Sequence, residues 1–147
     1  MIEFLLAKSN GDAIKEVRKT ILAIYKGFEK LDARLVDQNF SHGGELLAFG
    51  TDWDEKFVGW KGYKDVHTVQ FKALSSMKFR PRELSIHCQG KLAWISDRPH
   101  WEIVTKKGEK INSDVRLTAV LKKDESKERW LVVQWHVSVG MNRLHDY

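Results

Sequence analysis

The chain has 147 residues, of which 42% are hydrophobic and 31% charged, and this composition predicts one folded domain over residues 1–147 and excludes a disordered chain. The formal net charge is +5, but the lysines and arginines are scattered in pairs such as Lys106–Lys107, so we expect no nucleic-acid partner. No stretch approaches the ~18 apolar residues of a membrane span, and Met1–Ala7 lacks the basic start of a signal peptide, so we expect a cytoplasmic protein without membrane association.

The first half of the chain has the pattern of helices. Ser9 or Asn10 is a suitable cap for a helix that begins near Asp12. Apolar residues then recur three or four positions apart, which predicts one long helix or two helices broken near Lys30–Asp32: Ile14, Val17, Ile21, Ile24, Phe28, Leu31 and Leu35. A short buried strand follows at Leu46–Phe49, and a second helix is predicted roughly from Tyr63 to Ser76.

The second half has the pattern of strands joined by polar turns of hairpin size. Four strands are predicted, at Glu83–Gln89, Leu92–Val104, Lys110–Lys122 and Arg129–Val139. Helices followed by a run of strands indicate an α+β fold, with the helices on one face of an antiparallel sheet.

Alternation along the last strand predicts two different faces. An apolar face, expected to pack on the helices or to line a pocket, comprises Leu131, Val133, Trp135, Val137 and Val139. The mixed face comprises Trp130, Val132, Gln134, His136 and Ser138. Gln134, His136 and Ser138 suit an interface between two copies of the chain, so His136 is either an interface histidine or a catalytic one.

Metal and thiol chemistry have little support in the sequence. Cys88 is the only cysteine, so neither an internal disulfide nor a thiolate zinc site can form within one chain. The six histidines include no His-x-His or His-x-x-x-His pair. We therefore expect no metal and no cofactor.

Six tryptophans and one arginine are candidates for ligand binding. Large aromatic side chains either fill a core or line a concave pocket, and both alternatives remain open for this set. Arg116 and Thr118 share one face of the predicted strand Lys110–Lys122. If that face turns inward, Arg116 requires a carboxylate partner or an anionic ligand.

Several segments, in this order and spacing, resemble the SnoaL-like branch of the nuclear transport factor 2-like superfamily. They are Phe49–Glu55, Val58–Tyr63, Gly90–Asp97, the pair Arg116 and Thr118, and Trp130–Ser138. The resemblance implies a cone-shaped, curved antiparallel sheet packed against N-terminal helices (a cystatin-like α+β roll), a pocket between the two layers, and a homodimer. Relatives include isomerases, dehydratases and polyketide cyclases, as well as binding and assembly modules such as the association domain of calcium/calmodulin-dependent kinase.

Three functions follow as expectations. The first is binding of a small anionic or aromatic molecule by Tyr25, Trp53, Trp60, Trp94, Arg116, Thr118 and Trp135. The second is a cofactor-independent isomerase, dehydratase or cyclase in which Asp52 or His136 moves a proton and Tyr25 serves as an oxyanion donor. The third is a homo-oligomeric assembly module whose interface lies around Gln134, His136 and Ser138.

Overall fold

The computed structural model describes the backbone of residues 2–141 and the side chains of residues 10–141. Within these residues the elements are α1 Ile2–Glu29, α2 Ala33–Asp37, β1 Leu47–Phe49, β2 Lys56–Val58, α3 Gly59–Tyr63, α4 Val66–Lys72, β3 Leu74–Arg80, β4 Ser85–Gln89, β5 Leu92–Asp97, β6 His100–Thr105, β7 Lys110–Asp124 and β8 Arg129–Val139. None of the helices in this part of the chain has the length and apolar character needed to cross a membrane.

The first helix is longer than its capping pattern predicted. It begins at Ile2, so Ser9 and Asn10 lie inside α1, and the prediction that they cap it near Asp12 is wrong. The predicted break near Lys30–Asp32 is confirmed, because α1 ends at Glu29 and the Asp32 carboxylate caps α2 by accepting from the backbone N–H of Leu35 (3.1 Å).

The packing face of α1 follows the predicted periodicity. Its buried side chains recur at helical spacing and contact the sheet: Val17, Ile21, Ile24, Tyr25 and Phe28. Gly27 lies on the side of α1 that meets α2, where a Cβ atom would come within 2.6 Å of a methyl group of Val36. The two helices approach as closely as they do because this position has no side chain.

The strands form one mixed, curved sheet in the order β2-β1-β8-β7-β5-β4, in which β1 and β8 are parallel and the other pairs are antiparallel. The long strand β7 pairs first with β6 and then with β5, and β6 also pairs with β3. The predicted strand Leu92–Val104 is therefore two strands, interrupted at Arg98–Pro99. Apart from the parallel pair, the predicted α+β architecture is confirmed.

Two short segments differ from the predicted elements. The predicted helix from Tyr63 to Ser76 is instead α3, α4 and the start of β3, because the chain becomes extended at Leu74 and pairs with β6. Strand β2 was not predicted; it forms a hairpin with β1. Both segments are too short for periodicity to distinguish strand from helix.

A β-bulge in β8 changes which residues face the helices. Val120 pairs with Gln134 and Leu121 pairs with Val132, so Val133 is an extra residue that shifts the alternation by one. Consequently Trp130 and Val132 join Trp135 and Val137 in the core, and Val133 turns away from it. The prediction of one uniform apolar face from Leu131 to Val139 is wrong for this reason.

A candidate ligand cavity between the sheet and the helices

A cavity of about 360 Å³ lies between the sheet and helices α1 and α4. Most of its wall is apolar and comes from α1, α4 and strands β3, β6 and β8: Phe28, Phe71, Met77, Phe79, Trp101, Ile103, Trp135 and Val137. The turn Gly50–Glu55 contributes the exposed residues at the mouth. The side chains of the core therefore leave an open volume between the two layers.

A chain of three polar side chains enters this apolar wall. The Asp37 carboxylate lies 2.8 Å from Nδ1 of His67, and Nε2 of His67 lies 3.2 Å from the Tyr63 hydroxyl. They come from the end of α2, from α4 and from α3, and both His67 and Tyr63 line the cavity. Aromatic rings surround the imidazole, including Phe28 at 5.6 Å and Phe71 at 5.8 Å between ring centroids.

These hydrogen bonds determine where the protons lie on Asp37, His67 and Tyr63. A carboxylate only accepts, so in the neutral form of the imidazole Nδ1 of His67 carries the proton and Nε2 accepts the proton of the Tyr63 hydroxyl. Burial raises the pKa of Tyr63 well above its ordinary value, and the negative charges of Asp37 and Glu55 raise it further. Tyr63 therefore remains a neutral phenol.

Acidic and amide side chains lie at the mouth of the cavity. Oε1 of Glu55 accepts from the backbone N–H of Asp52 at 2.9 Å, and Oε2 accepts from the Gln70 amide at 3.4 Å. The backbone N–H of Gly50 donates to the Glu55 carbonyl at 2.9 Å, which closes the turn. These contacts hold two carboxylates, Asp52 and Glu55, beside the opening.

One wall residue has an unsatisfied polar atom. The indole N–H of Trp101 is buried and has no hydrogen-bond partner among the described residues. Leaving such a donor without an acceptor costs roughly 1–3 kcal/mol, and buried donors of this kind are uncommon. This unpaired nitrogen is a local cost of packing the Trp101 ring into the wall.

Comparison with known proteins identifies the family. Residues 17–142 match the profile of the SnoaL-like domain, which is most of the chain. The chain belongs to the SnoaL-like domain family. The resemblance seen in the sequence is confirmed, and none of the curated proteins matches the SnoaL-like chain significantly.

Solved structures share its fold. A candidate dehydratase of the nuclear transport factor 2-like family from Streptomyces avermitilis has a TM-score of 0.80 at 11% identity, covering 90% of this chain and 99% of that one. A candidate scytalone dehydratase from Novosphingobium aromaticivorans has a TM-score of 0.81 at 8% identity, covering 92% of this chain and 89% of that one. A nuclear transport factor 2-like superfamily protein from Salmonella enterica has a TM-score of 0.79 at 20% identity, covering 90% of this chain and 94% of that one. At these identities the likeness shows the fold alone.

Two of the residues nominated from the sequence line the cavity of this SnoaL-like chain. Trp135 lines its inner wall and Asp52 lies at its mouth. Tyr25 is buried in the core, where its hydroxyl donates to the Asp97 carboxylate at 2.8 Å. Trp53 is fully exposed in the turn Gly50–Glu55, and Trp60 stacks on His42 with 4.0 Å between ring centroids.

The other nominated residues lie on the outer face of the sheet, which points away from the helices. Arg116 and Thr118 alternate with the buried residues of β7 and are exposed. Trp94 pairs with Val120 and stacks on His87, and His136 pairs with Thr118 and lies 5.2 Å from the Phe49 ring. These side chains lie on the opposite side of the sheet from the cavity.

The chain Asp37–His67–Tyr63 was not nominated from the sequence. The four-residue spacing of Tyr63 and His67 on a predicted helix was the available signal, since such residues lie on one face. Asp37 is 30 positions from His67, and nothing local connects them. Within residues 10–141, no group of three or more histidine, cysteine, aspartate and glutamate side chains is arranged to hold a metal ion.

Proposed function

We propose that this SnoaL-like chain binds a small, mainly apolar organic molecule in the cavity. The observation that carries the proposal is the open volume of about 360 Å³, which is within the range of small-molecule sites. Its wall combines aromatic and aliphatic side chains with a few polar groups, the composition typical of such sites. The exposed Arg116 does not contact the cavity, so the proposal does not require an anionic ligand.

Native mass spectrometry of untagged protein, compared with denaturing conditions, tests whether a ligand is retained. Calorimetric titration with 2-naphthylmethanol provides a defined probe. The variant Ile103→Trp fills the cavity and should abolish probe binding, whereas Val58→Trp adds the same side chain at an exposed site outside the wall and should not. A wild-type protein that neither retains a mass nor binds the probe would refute the proposal.

The Asp37–His67–Tyr63 chain favours a second function, proton transfer to or from the bound molecule without a cofactor. A proton leaving a carbon next to a ligand carbonyl would pass to the Tyr63 oxygen while the Tyr63 proton moves to Nε2 of His67, leaving an enolate. Asp37 would stabilise the resulting imidazolium. Isomerases and dehydratases use this reaction class, and two of the similar structures are named as candidate dehydratases.

Deuterium exchange at the carbons next to the carbonyl of 2-tetralone, followed by NMR in D₂O, tests this second function. The protein should accelerate exchange above the buffer rate, and His67→Gln and Tyr63→Phe should each remove most of the acceleration. His87→Gln changes a histidine on the outer face and serves as the control, while Asp52→Asn tests the carboxylate nominated from the sequence. Binding of 2-tetralone without accelerated exchange would exclude proton transfer and leave ligand binding intact.

We also propose that the chain forms a homodimer through the outer face of the sheet. Exposed apolar side chains lie on this face, namely Leu47 and Trp94, together with the half-buried Gln134 and His136. Trp94→Glu should convert the dimer to a monomer in sedimentation experiments, and Thr68→Glu on α4 should not. A wild-type monomer at micromolar concentration would rule this interface out.

A further inference from the structure

The charged side chains in the cavity wall are all acidic. Asp52 and Glu55 line the mouth, and among the side chains of residues 10–141 no lysine or arginine lines the cavity. This differs from the chain as a whole, which has 25 lysines and arginines and 20 aspartates and glutamates. An entering ligand therefore meets negative charge on an otherwise basic protein.

Glu55 retains unused hydrogen-bonding capacity. An ionised carboxylate has about four acceptor sites, and here one is used by the Asp52 N–H and another by the long contact from Gln70. Glu55 is half-buried, so water screens its charge less than that of an exposed carboxylate. A donor group on a ligand could form a charge-assisted hydrogen bond here.

The charge of Glu55 also affects Tyr63, which lines the same cavity. Its charge contributes to the raised pKa of Tyr63, after burial and the charge of Asp37. The carboxylates that disfavour a phenolate at Tyr63 also disfavour an anionic ligand beside it. Asp37 and Glu55 therefore both disfavour negative charge at Tyr63.

Aromatic rings near the mouth complement a positive charge. Phe57 is two residues from Glu55, lines the cavity, and packs against Tyr63 with 5.1 Å between ring centroids. The faces of such rings attract ammonium groups by cation–π interaction.

We infer that the cavity selects a ligand with an aromatic or alicyclic body and a protonated amine, that Glu55 binds the amine, and that carboxylate ligands are rejected. This inference rests on the proposed ligand-binding function. It gives Glu55 a role in specificity that is separate from any proton transfer by His67.

Three probes of one shape and different charge test the inference by calorimetry at pH 7.5 and low salt: 2-naphthylmethylamine, 2-naphthylmethanol and 2-naphthoate. We expect the amine to bind about tenfold more tightly than the alcohol, which corresponds to about 1.4 kcal/mol, and the naphthoate to bind more weakly than the alcohol. Added salt should reduce the difference between amine and alcohol, since screening weakens the ion pair.

The variant Glu55→Gln keeps an acceptor oxygen for the Asp52 N–H but loses the charge. It should abolish the preference for the amine, so that amine and alcohol bind with equal affinity. Asp54→Asn removes an acid from the same turn at an exposed position outside the wall, and should preserve the amine preference.

The outcomes separate this inference from the proposed function. If wild-type protein binds none of the three probes, the ligand-binding proposal fails. If it binds the alcohol but binds the amine no more tightly, or binds the naphthoate equally well, the inference is overturned while ligand binding stands. The salt dependence of the wild type decides the question even if Glu55→Gln fails to fold.

Discussion

The hydroxyl of Tyr25 donates to Oδ2 of Asp97 at 2.8 Å and thereby connects the first helix to the end of β5. The other carboxylate oxygen, Oδ1, accepts the backbone N–H groups of Arg82, Glu83 and Arg98 at 3.2, 2.8 and 2.8 Å. Both residues are buried. The Tyr25 hydroxyl is thus engaged in the core, which favours a structural role over that of oxyanion donor.

Tyr25→Phe should destabilise the protein and leave ligand binding unchanged. Removing the hydroxyl costs Asp97 one hydrogen bond in a buried site, for an expected loss of about 1–3 kcal/mol. Urea unfolding measures the stability, and titration with 2-naphthylmethanol measures the binding. An unchanged unfolding midpoint with a large loss of affinity would instead support the ligand-binding role expected from the sequence.

Stability should decline in alkaline solution. Burial, followed by the charge of Asp97, raises the pKa of Tyr25, so the folded state holds the phenolic proton more tightly than the unfolded chain, whose tyrosine pKa is about 10. The contribution of the Tyr25 hydroxyl to the free energy of unfolding is fully present below about pH 10. Above it the unfolded state loses the proton first, and the free energy of unfolding falls by up to about 1.4 kcal/mol per pH unit for each such tyrosine.

Urea unfolding between pH 8 and 11 measures this slope. Tyr25→Phe should make the slope shallower, and Tyr63, whose pKa is also raised by burial, should account for a similar share. Equal slopes for wild type and Tyr25→Phe would contradict the assignment to Tyr25.

Two glycines in the same helix should respond oppositely to alanine. A Cβ atom at Gly27 would lie 2.6 Å from a methyl group and 3.1 Å from the backbone nitrogen of Val36, so Gly27→Ala should force α1 and α2 apart at a cost of about 1–3 kcal/mol. Among residues 10–141 nothing lies within 4 Å of a Cβ atom at Gly11, so Gly11→Ala should stabilise the protein by up to about 1 kcal/mol. Thermal unfolding distinguishes them, and a stabilising Gly27→Ala would show that the helices separate freely.

Adjacent valines in β8 should differ because of the bulge. Val132 is fully buried, so Val132→Ala should cost about 2–4 kcal/mol, whereas Val133→Ala should cost less than about 1 kcal/mol. Uninterrupted alternation from Trp135 predicts the reverse order, since it places Val133 inside and Val132 outside. Chemical denaturation of the two variants therefore tests the register of the last strand.

Sequence reasoning recovered the architecture where patterns were long. The apolar recurrence from Val17 to Phe28 and the strand Arg129–Val139 depend on local periodicity, and the structure reproduces both. The bulge at Val133 has no such signature, because it arises from pairing with β7. One extra residue was enough to reverse the expected orientation of Trp130 and Val132.

The candidate site was harder to predict than the fold. Trp135 and Asp52 were nominated and line the cavity, whereas Arg116 and Trp94 were nominated but lie on the outer face of the sheet. Strand alternation shows which residues share a face, but it does not show which face the sheet turns toward the helices. The link from Asp37 to His67 exists only after α2 and α4 pack together. Such contacts between distant segments carry no signal in a single sequence.

The Glu16 carboxylate accepts hydrogen bonds from Lys123 and from the indole of Trp130, each at 2.9 Å, and β1 adds to the sheet only beside β8. Segments that leave the ribosome earlier therefore obtain these partners from a strand that leaves it later. A nascent chain stalled before Arg129 can pack α1 on β3 and β4, but it lacks the strand with which β1 pairs and the indole that Glu16 binds. The β1–β2 hairpin should therefore be protease-sensitive in stalled chains until β8 has emerged.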